Sequence, residues 1–538
     1  MRRGVTLIGL ALLAMAAACG TSSTTDKHAA STAATSPLVP NAVPTTGAAT
    51  TGPTTTALVT TTPATTADDG FAAQLPAGTQ HLHFEYGPIA IAPGQNNIDF
   101  SKTAVPRPAE DGYVLRISSN LRRADGSIPP VDVIHLHHGV WLNLSAKDTT
   151  IAGFPERFFA VGEEKTATEL PSGFGYPYHT TDQWVINYML HNLTSSPDNV
   201  WITYDLDFLP MSAPAAAAIT PARPVWLDVQ NGSGYPVFDV LKGTGTNGTY
   251  TYPDQANPEK PAGPYGAGTK LNEWTVDHDG VLIATGGHLH PGGLYDDLVV
   301  QRGPQTVRAF RSVAKYFEPA GAVSWDVAMT VTNPDWRVAV KQGDTLSVHA
   351  TYDSSRASWY ESMGIMVVWM ASTGSGTDPF ATNVDTPGHL THGHLPENDH
   401  HGGTGAELGD ASTFPPRPAP AQIGIGGFLY AEGDLEIGNS LPTVKQGGTI
   451  TFANTEPLDA PGIWHTITAC KAPCNAETGI AYPIADGDIS FDSGELGDAG
   501  APTAGRLTWS TPGTLPPGVY NYFCRIHPFM RGAFKVTP

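Results

Sequence analysis

Between residues 20 and 469 the chain has no cysteine, and the whole complement is four: Cys19, Cys470, Cys474 and Cys524. The body of the protein is therefore not a disulfide-stapled scaffold, and thiol chemistry is confined to its two ends. Charge is scarce as well. Only 15% of the 538 residues are Asp, Glu, Lys or Arg, and the formal net charge is −21, which argues against a nucleic-acid role. After residue 15 no apolar run is long enough to cross a bilayer, and no sustained helical periodicity follows it. What is abundant is glycine and proline, 58 and 47 residues, between short alternating runs such as Trp201-Ile202-Thr203-Tyr204-Asp205-Leu206-Asp207-Phe208. That pattern reads as β-strands joined by turns, and the expected fold class is all-β.

The first 19 residues have the organisation of an export signal. Met1-Arg2-Arg3 is basic, residues 5–15 are apolar, and Ala16-Ala17-Ala18-Cys19 follows. The segment resembles a bacterial lipoprotein signal with cleavage before Cys19 and lipid on its sulfur, although Ala16 stands where Leu is usual; plain secretion is the alternative. Either reading places the mature chain outside the cytoplasm, as a cell-envelope lipoprotein or a secreted protein, touching the membrane only through the lipid. Residues 20–75, rich in Thr, Ala and Pro, cannot bury a core and are expected to be a disordered tether. The remainder is too long for one ordinary domain.

At the C-terminal end, Cys524-Arg525-Ile526-His527-Pro528-Phe529-Met530 lies between strand-like runs at 519–523 and 533–536, and His465 lies upstream. A thiolate, two imidazoles and a thioether are the donors of a blue-copper site, in which soft ligands and a weak axial Met let copper change charge with little rearrangement. The loop resembles the amicyanin branch of the cupredoxins, and Val444-Lys445-Gln446-Gly447-Gly448-Thr449-Ile450-Thr451-Phe452 with Trp464-His465-Thr466-Ile467 resembles their strand and first-ligand segment. The resemblance covers 418–538 and implies a Greek-key sandwich binding one type 1 copper through His465, Cys524, His527 and Met530. Each of those residues taken singly also has an ordinary place in an apolar core. Cys470 and Cys474, four apart in a Pro-containing loop, are expected to form a disulfide; the rival half of a zinc site lacks a second pair nearby.

In the middle of the chain the chemistry is histidine. His135-Leu136-His137-His138 lies in one apolar run, His191 ends another, and Gly287-His288-Leu289-His290 follows a third. Alternate residues of a strand share a face, so His288 and His290 can meet one metal, and periodicity alone pairs His135 with His137 unless a bulge re-aims a neighbour. His137-His138-Gly139, His191, His288-Leu289-His290, then Gly343-Asp344-Thr345-Leu346 leading to Trp359-Tyr360-Glu361-Ser362-Met363, resemble in order and context the copper type II, ascorbate-dependent monooxygenases. Peptidylglycine alpha-hydroxylating monooxygenase is a member of that family. Similarity extends over 78–378 and implies two jelly-roll sandwiches, 76–215 and 216–378, with two further coppers. His137, His138 and His191 would hold the electron-supplying copper; His288, His290 and Met363 would form the catalytic, oxygen-binding site that hydroxylates a substrate C–H bond. The family's His-His-Met reads His137-His138-Gly139 here, and its glycine-carboxylate anchors are replaced by Gly286 and Val367, so a peptidylglycine substrate is not implied. The substrate is an unidentified small molecule or peptide, and the electron donor a redox partner protein or small reductant.

Residues 379–417 form a linker with Gly388-His389-Leu390-Thr391-His392-Gly393-His394 and Asp399-His400-His401, readable as a metal-binding tract or as a solvated connection. His179, His278 and His349 are expected to be structural. A laccase-like oxidase places histidines on both sides of its blue-copper Cys; Phe523 and Arg525 stand there instead. Two functional expectations remain: a monooxygenase with a cupredoxin relaying electrons, or a copper-binding electron-transfer protein in which only the C-terminal site is redox active.

Overall fold

The computed structural model describes residues 58–60, 75–231, 236–256, 272–318, 324–398, 409–456, 463–470, 489–497 and 506–538. Cys19, Cys474, His400, His401 and nearly all of the expected tether lie outside the described residues. The described chain is all-β, with three short 3-10 turns and no α-helix.

In the first sandwich, the strand Asp198–Pro210 lies between Gln80–Ile91 and Gly112–Arg122, paired antiparallel with both. A strand so flanked satisfies its backbone on both edges, which is why it tolerates almost complete burial. The opposing sheet runs Asn96–Phe100, Trp184–Asn192, Ile134–Lys147, Pro155–Gly162. Trp141, Phe159, Trp184, Tyr204 and Phe208 fill the space between the sheets and are fully buried. Each such side chain contributes about 2–3 kcal/mol by leaving water, so this layer, and not strand propensity, holds the pairing register.

The second sandwich sets Thr345–Asp353, Gly293–Arg302 and Gln305–Tyr316 against Thr220–Asp228, Ile365–Ala371 and Gly280–His288. Leu298, Phe310, Val348, Tyr352 and Met366 form its core. The two sandwiches share backbone pairing, since Thr220–Asp228 also runs parallel to Phe174–Tyr178 of the first.

The C-terminal sandwich has a five-stranded sheet that includes Leu441–Lys445, Arg531–Thr537, Gly518–Phe523 and Thr468–Cys470, faced by a four-stranded sheet that includes Ile423–Gly426 and Thr451–Asn454. Its core of Ile423, Phe452, Ile467, Tyr522 and Phe534 also contains Cys524 and Met530. Cys470 is disulfide-bonded.

Candidate metal centres

The C-terminal centre is built by one tight loop and one bridge. Cys524 follows the strand Gly518–Phe523, and the chain folds back through hydrogen bonds from Cys524 N–H to the Met530 carbonyl (3.1 Å) and from Met530 N–H to the His527 carbonyl (2.9 Å). His465 is held opposite by reciprocal backbone bonds with Leu496 (3.0 and 2.8 Å). The Cys524 Sγ lies 3.6 Å from His527 Nδ1 and 3.9 Å from His465 Nδ1, and the two Nδ1 atoms are 3.2 Å apart. Both outer nitrogens have oxygen neighbours, His465 Nε2 at Glu456 (3.3 Å) and His527 Nε2 at the Gly94 carbonyl (2.8 Å). Two inward imidazole nitrogens and a sulfur, all fully buried, are therefore turned on one point. Burial would raise the Cys524 thiol, but His527 and His465 outweigh it and hold the thiol well below its ordinary value. Thr466 N–H donates to Sγ at 3.3 Å, further favouring the thiolate. Met530, 2% exposed, packs in the same cluster. The donor set fits a soft, thiolate-preferring metal.

The second centre depends on a strand irregularity. Leu136 pairs with Leu190, but the next pair is His138 with Met189, so His137 is an extra residue in a β-bulge. His135 sits directly across from His191. The result is that His135, His137 and His191 each offer a ring nitrogen within 4.8 Å of the others. His138, expected in that set, is not among the converging nitrogens, and its ring centroid lies 6.3 Å from that of His137. His288 and His290 have ring centroids 5.1 Å apart, and His290 lies 4.2 Å from His137. The two expected histidine sets thus form one continuous patch. Met363 lies in an apolar cluster with Trp226, Val237 and Ile365, its backbone N–H and carbonyl both bonded to the Tyr352 hydroxyl.

The chemistry of this patch is legible in what its nitrogens do not touch. His135 Nε2, His137 Nδ1, His138 Nε2, His191 Nδ1 and His290 Nε2 are buried without a hydrogen-bond partner among the described residues. Buried polar nitrogens without a hydrogen bond cost free energy unless something binds them. Burial pushes His135 down to about 4 and His138 to about 3, and drives His137, His191 and His290 well below the usual range, so these rings are neutral and available as ligands. Burial would lower His288 too, but Glu164, Glu163 and Asp228 raise it, and its Nδ1 lies 3.1 Å from Glu164. The Glu163-Glu164 pair and Trp325, whose ring lies 4.6 Å from His135, were not singled out from sequence. The two carboxylates directly follow the strand that pairs with His138, a neighbourhood set by pairing and not by sequence.

A cavity of about 100 Å3 lies where the three sandwiches meet, walled by His137, His191, His290, Trp359, Arg525 and Ile526. It is large enough for a diatomic molecule, a small anion or a few waters. Arg525 closes one side: its guanidinium bonds to the Ser358 carbonyl, pairs with Asp492 at 3.1 Å and stacks 5.0 Å from Trp359.

A third convergence, Glu318, Asp326 and His394, lies where the linker returns to the second sandwich, with His394 Nδ1 2.6 Å from Asp326. His179, His278 and His349 have carboxylate neighbours, Asp111, Asp277 and Asp254, away from these centres.

No family model matches the chain, and no curated protein matches it. Among solved structures, a purple cupredoxin from Nitrosopumilus maritimus is 20% identical, covering 22% of this chain and 100% of its own, at a TM-score of 0.15. A reduced amicyanin variant is 21% identical over 24% of this chain and 92% of its own, TM-score 0.14. The copper-containing nitrite reductase of Thermus scotoductus is 15% identical over 48% of this chain and 55% of its own, TM-score 0.15.

Proposed function

We propose that this chain is an extracytoplasmic copper redox protein in which a blue-copper centre at His465, Cys524, His527 and Met530 serves a second, imidazole-only copper centre at the sandwich interface. The observation that carries this reading is the inward convergence of one Sγ and two Nδ1 atoms, both outer nitrogens being turned on oxygen. Copper, when bound, supplies reversible one-electron chemistry, and at an imidazole set beside a cavity it supplies a place for a small oxidant. The chain's own residues do the rest. Full burial of His465, Cys524 and His527 excludes water, Thr466 steadies the sulfur, and Arg525 walls the cavity. The Cys470 disulfide supports an oxidising compartment, which agrees with export and with a lipid on Cys19.

The finer reading is a monooxygenase that hydroxylates a C–H bond with dioxygen, supported by the motif order and by His137, His191 and His290 lining the cavity. A second reading, an electron carrier on a catalytically silent body, is favoured by the apolar surroundings of Met363. Copper per chain, the visible spectrum and reductant-driven dioxygen consumption with candidate C–H substrates test both. An intense thiolate-to-copper band with more than one copper and coupled hydroxylation supports the enzyme; the band with a single copper supports the carrier; no band overturns the proposal.

A further inference from the structure

We infer that the two centres bind metal cooperatively, because each sandwich supplies the backbone carbonyl that orients a ligand of the other; this rests on the copper reading above. Gly94 ends a turn before the strand Asn96–Phe100, and its N–H donates to the Thr194 carbonyl at 3.0 Å. Its own carbonyl lies 2.8 Å from His527 Nε2 of the C-terminal sandwich. Two residues on, Asn96 pairs with His191, and His191 Nε2 lies 2.8 Å from the Ile526 carbonyl, immediately before His527. A carbonyl oxygen accepts and cannot donate, so in both rings Nε2 carries the proton and Nδ1 keeps the lone pair. Those two Nδ1 atoms face the centres: that of His527 meets Cys524 and His465, and that of His191 has no partner among the described residues and belongs with His135 and His137.

The contact has no slack. Gly94 has φ +60°, and a Cβ there would fall 2.3 Å from the Phe428 ring and 2.8 Å from the His527 ring. Glycine is required both by conformation and by approach. A ring that turns to meet metal at His191 therefore moves the Ile526 carbonyl, and His527 is the next residue. Linkage makes the effect reciprocal: whatever factor one centre adds to the other's affinity is returned.

The test uses the full chain and copper(II) alone, following the thiolate-to-copper band for the C-terminal centre and total bound copper against a competing chelator. His135→Ala removes a donor from the sandwich centre and touches neither carbonyl bond. It should weaken copper at Cys524 by about 10-fold, the scale of losing an orienting partner, and shift the band. Gly94→Ala should shift the band and also weaken the sandwich centre. An unchanged band and affinity in folded His135→Ala overturns the linkage. Should the variants misfold, the unmodified chain decides: the band moves between one equivalent and saturation if the centres are linked, and stays fixed if they are independent. No band at all in the unmodified chain would instead overturn the proposed function.

Discussion

The C-terminal centre and the sandwich centre differ in how far apart in the chain their donors lie. Three of the four C-terminal donors come from seven consecutive residues, closed on themselves by the Met530–Cys524 backbone bond. The sandwich centre collects His135, His137 and His191 from two paired strands and meets His290 from another sandwich. The first therefore takes most of its geometry from one loop, with a thiol held well below its ordinary value, and only the Gly94 carbonyl that meets His527 comes from another sandwich. The second needs the bulge to complete its triad and the second sandwich to bring His290 beside it, and one nitrogen of each triad ring is buried without a hydrogen bond among the described residues. Local assembly gives a metal site robustness; distributed assembly gives it sensitivity to the whole fold.

The sharpest way to separate the two is Cys524→Ser. It should abolish the visible thiolate-to-copper band completely while leaving copper bound by the histidine patch, measured as metal per chain. A residual intense band would break the assignment of Cys524 as the thiolate.

Buried polarity that is not a metal site supplies the control. Glu156 is raised from 4.5 to about 7, first by burial, and the Tyr176 hydroxyl donates to it at 2.6 Å. Because its folded value lies above its unfolded one, its stabilising contribution is full below pH 4.5 and is lost as pH rises through about 7. Glu156→Gln should therefore stabilise the protein above pH 7 by at most about 3 kcal/mol, have little effect near pH 4, and leave both metal contents unchanged. Denaturant titrations at the two pH values check the sign, which a destabilised variant at high pH would reverse.

Within the sandwich centre, His135→Ala should weaken copper binding by about 100-fold and His138→Ala by about 10-fold or less, because only the former belongs to the converging triad. Chelator competition on both variants checks the order, and the opposite order would restore His138 to the set with His137 and His191. The smallest effect expected is that of Arg525→Lys, which keeps the charge but loses the planar stack on Trp359 and Tyr360. It should cost about 1 kcal/mol, read as a lower denaturation midpoint.

Much of this was legible before any fold was known. The alternation Trp201 to Phe208 announced a strand, and it lies within Asp198–Pro210. The closeness of Cys524, His527 and Met530 is legible because the three are neighbours in sequence. His135, by contrast, was visible as a period-2 partner of His137, but the motif resemblance grouped His138 with His137 instead. A bulge brings His135 and His137 together with His191, and a bulge is a property of the pairing between Ile134–Lys147 and Trp184–Asn192, not of either strand alone. The same holds for Glu163 and Glu164, since nothing local in the sequence places a carboxylate beside His288. Arg525 read only as a non-histidine flank of Cys524, and its contacts with Ser358 and Asp492 come from distant segments.

By itself the sequence determined the β-rich architecture, from turn residues and alternation, and the closeness of Cys524, His527 and Met530, from their places in one short loop. Tertiary structure alone decided which histidines meet and that the Gly94 and Ile526 carbonyls meet His527 and His191 across two sandwiches. The physical reason is that strand propensity and ligand softness belong to residues and short segments. Register, burial and cross-sandwich hydrogen bonds arise only when distant strands share a core.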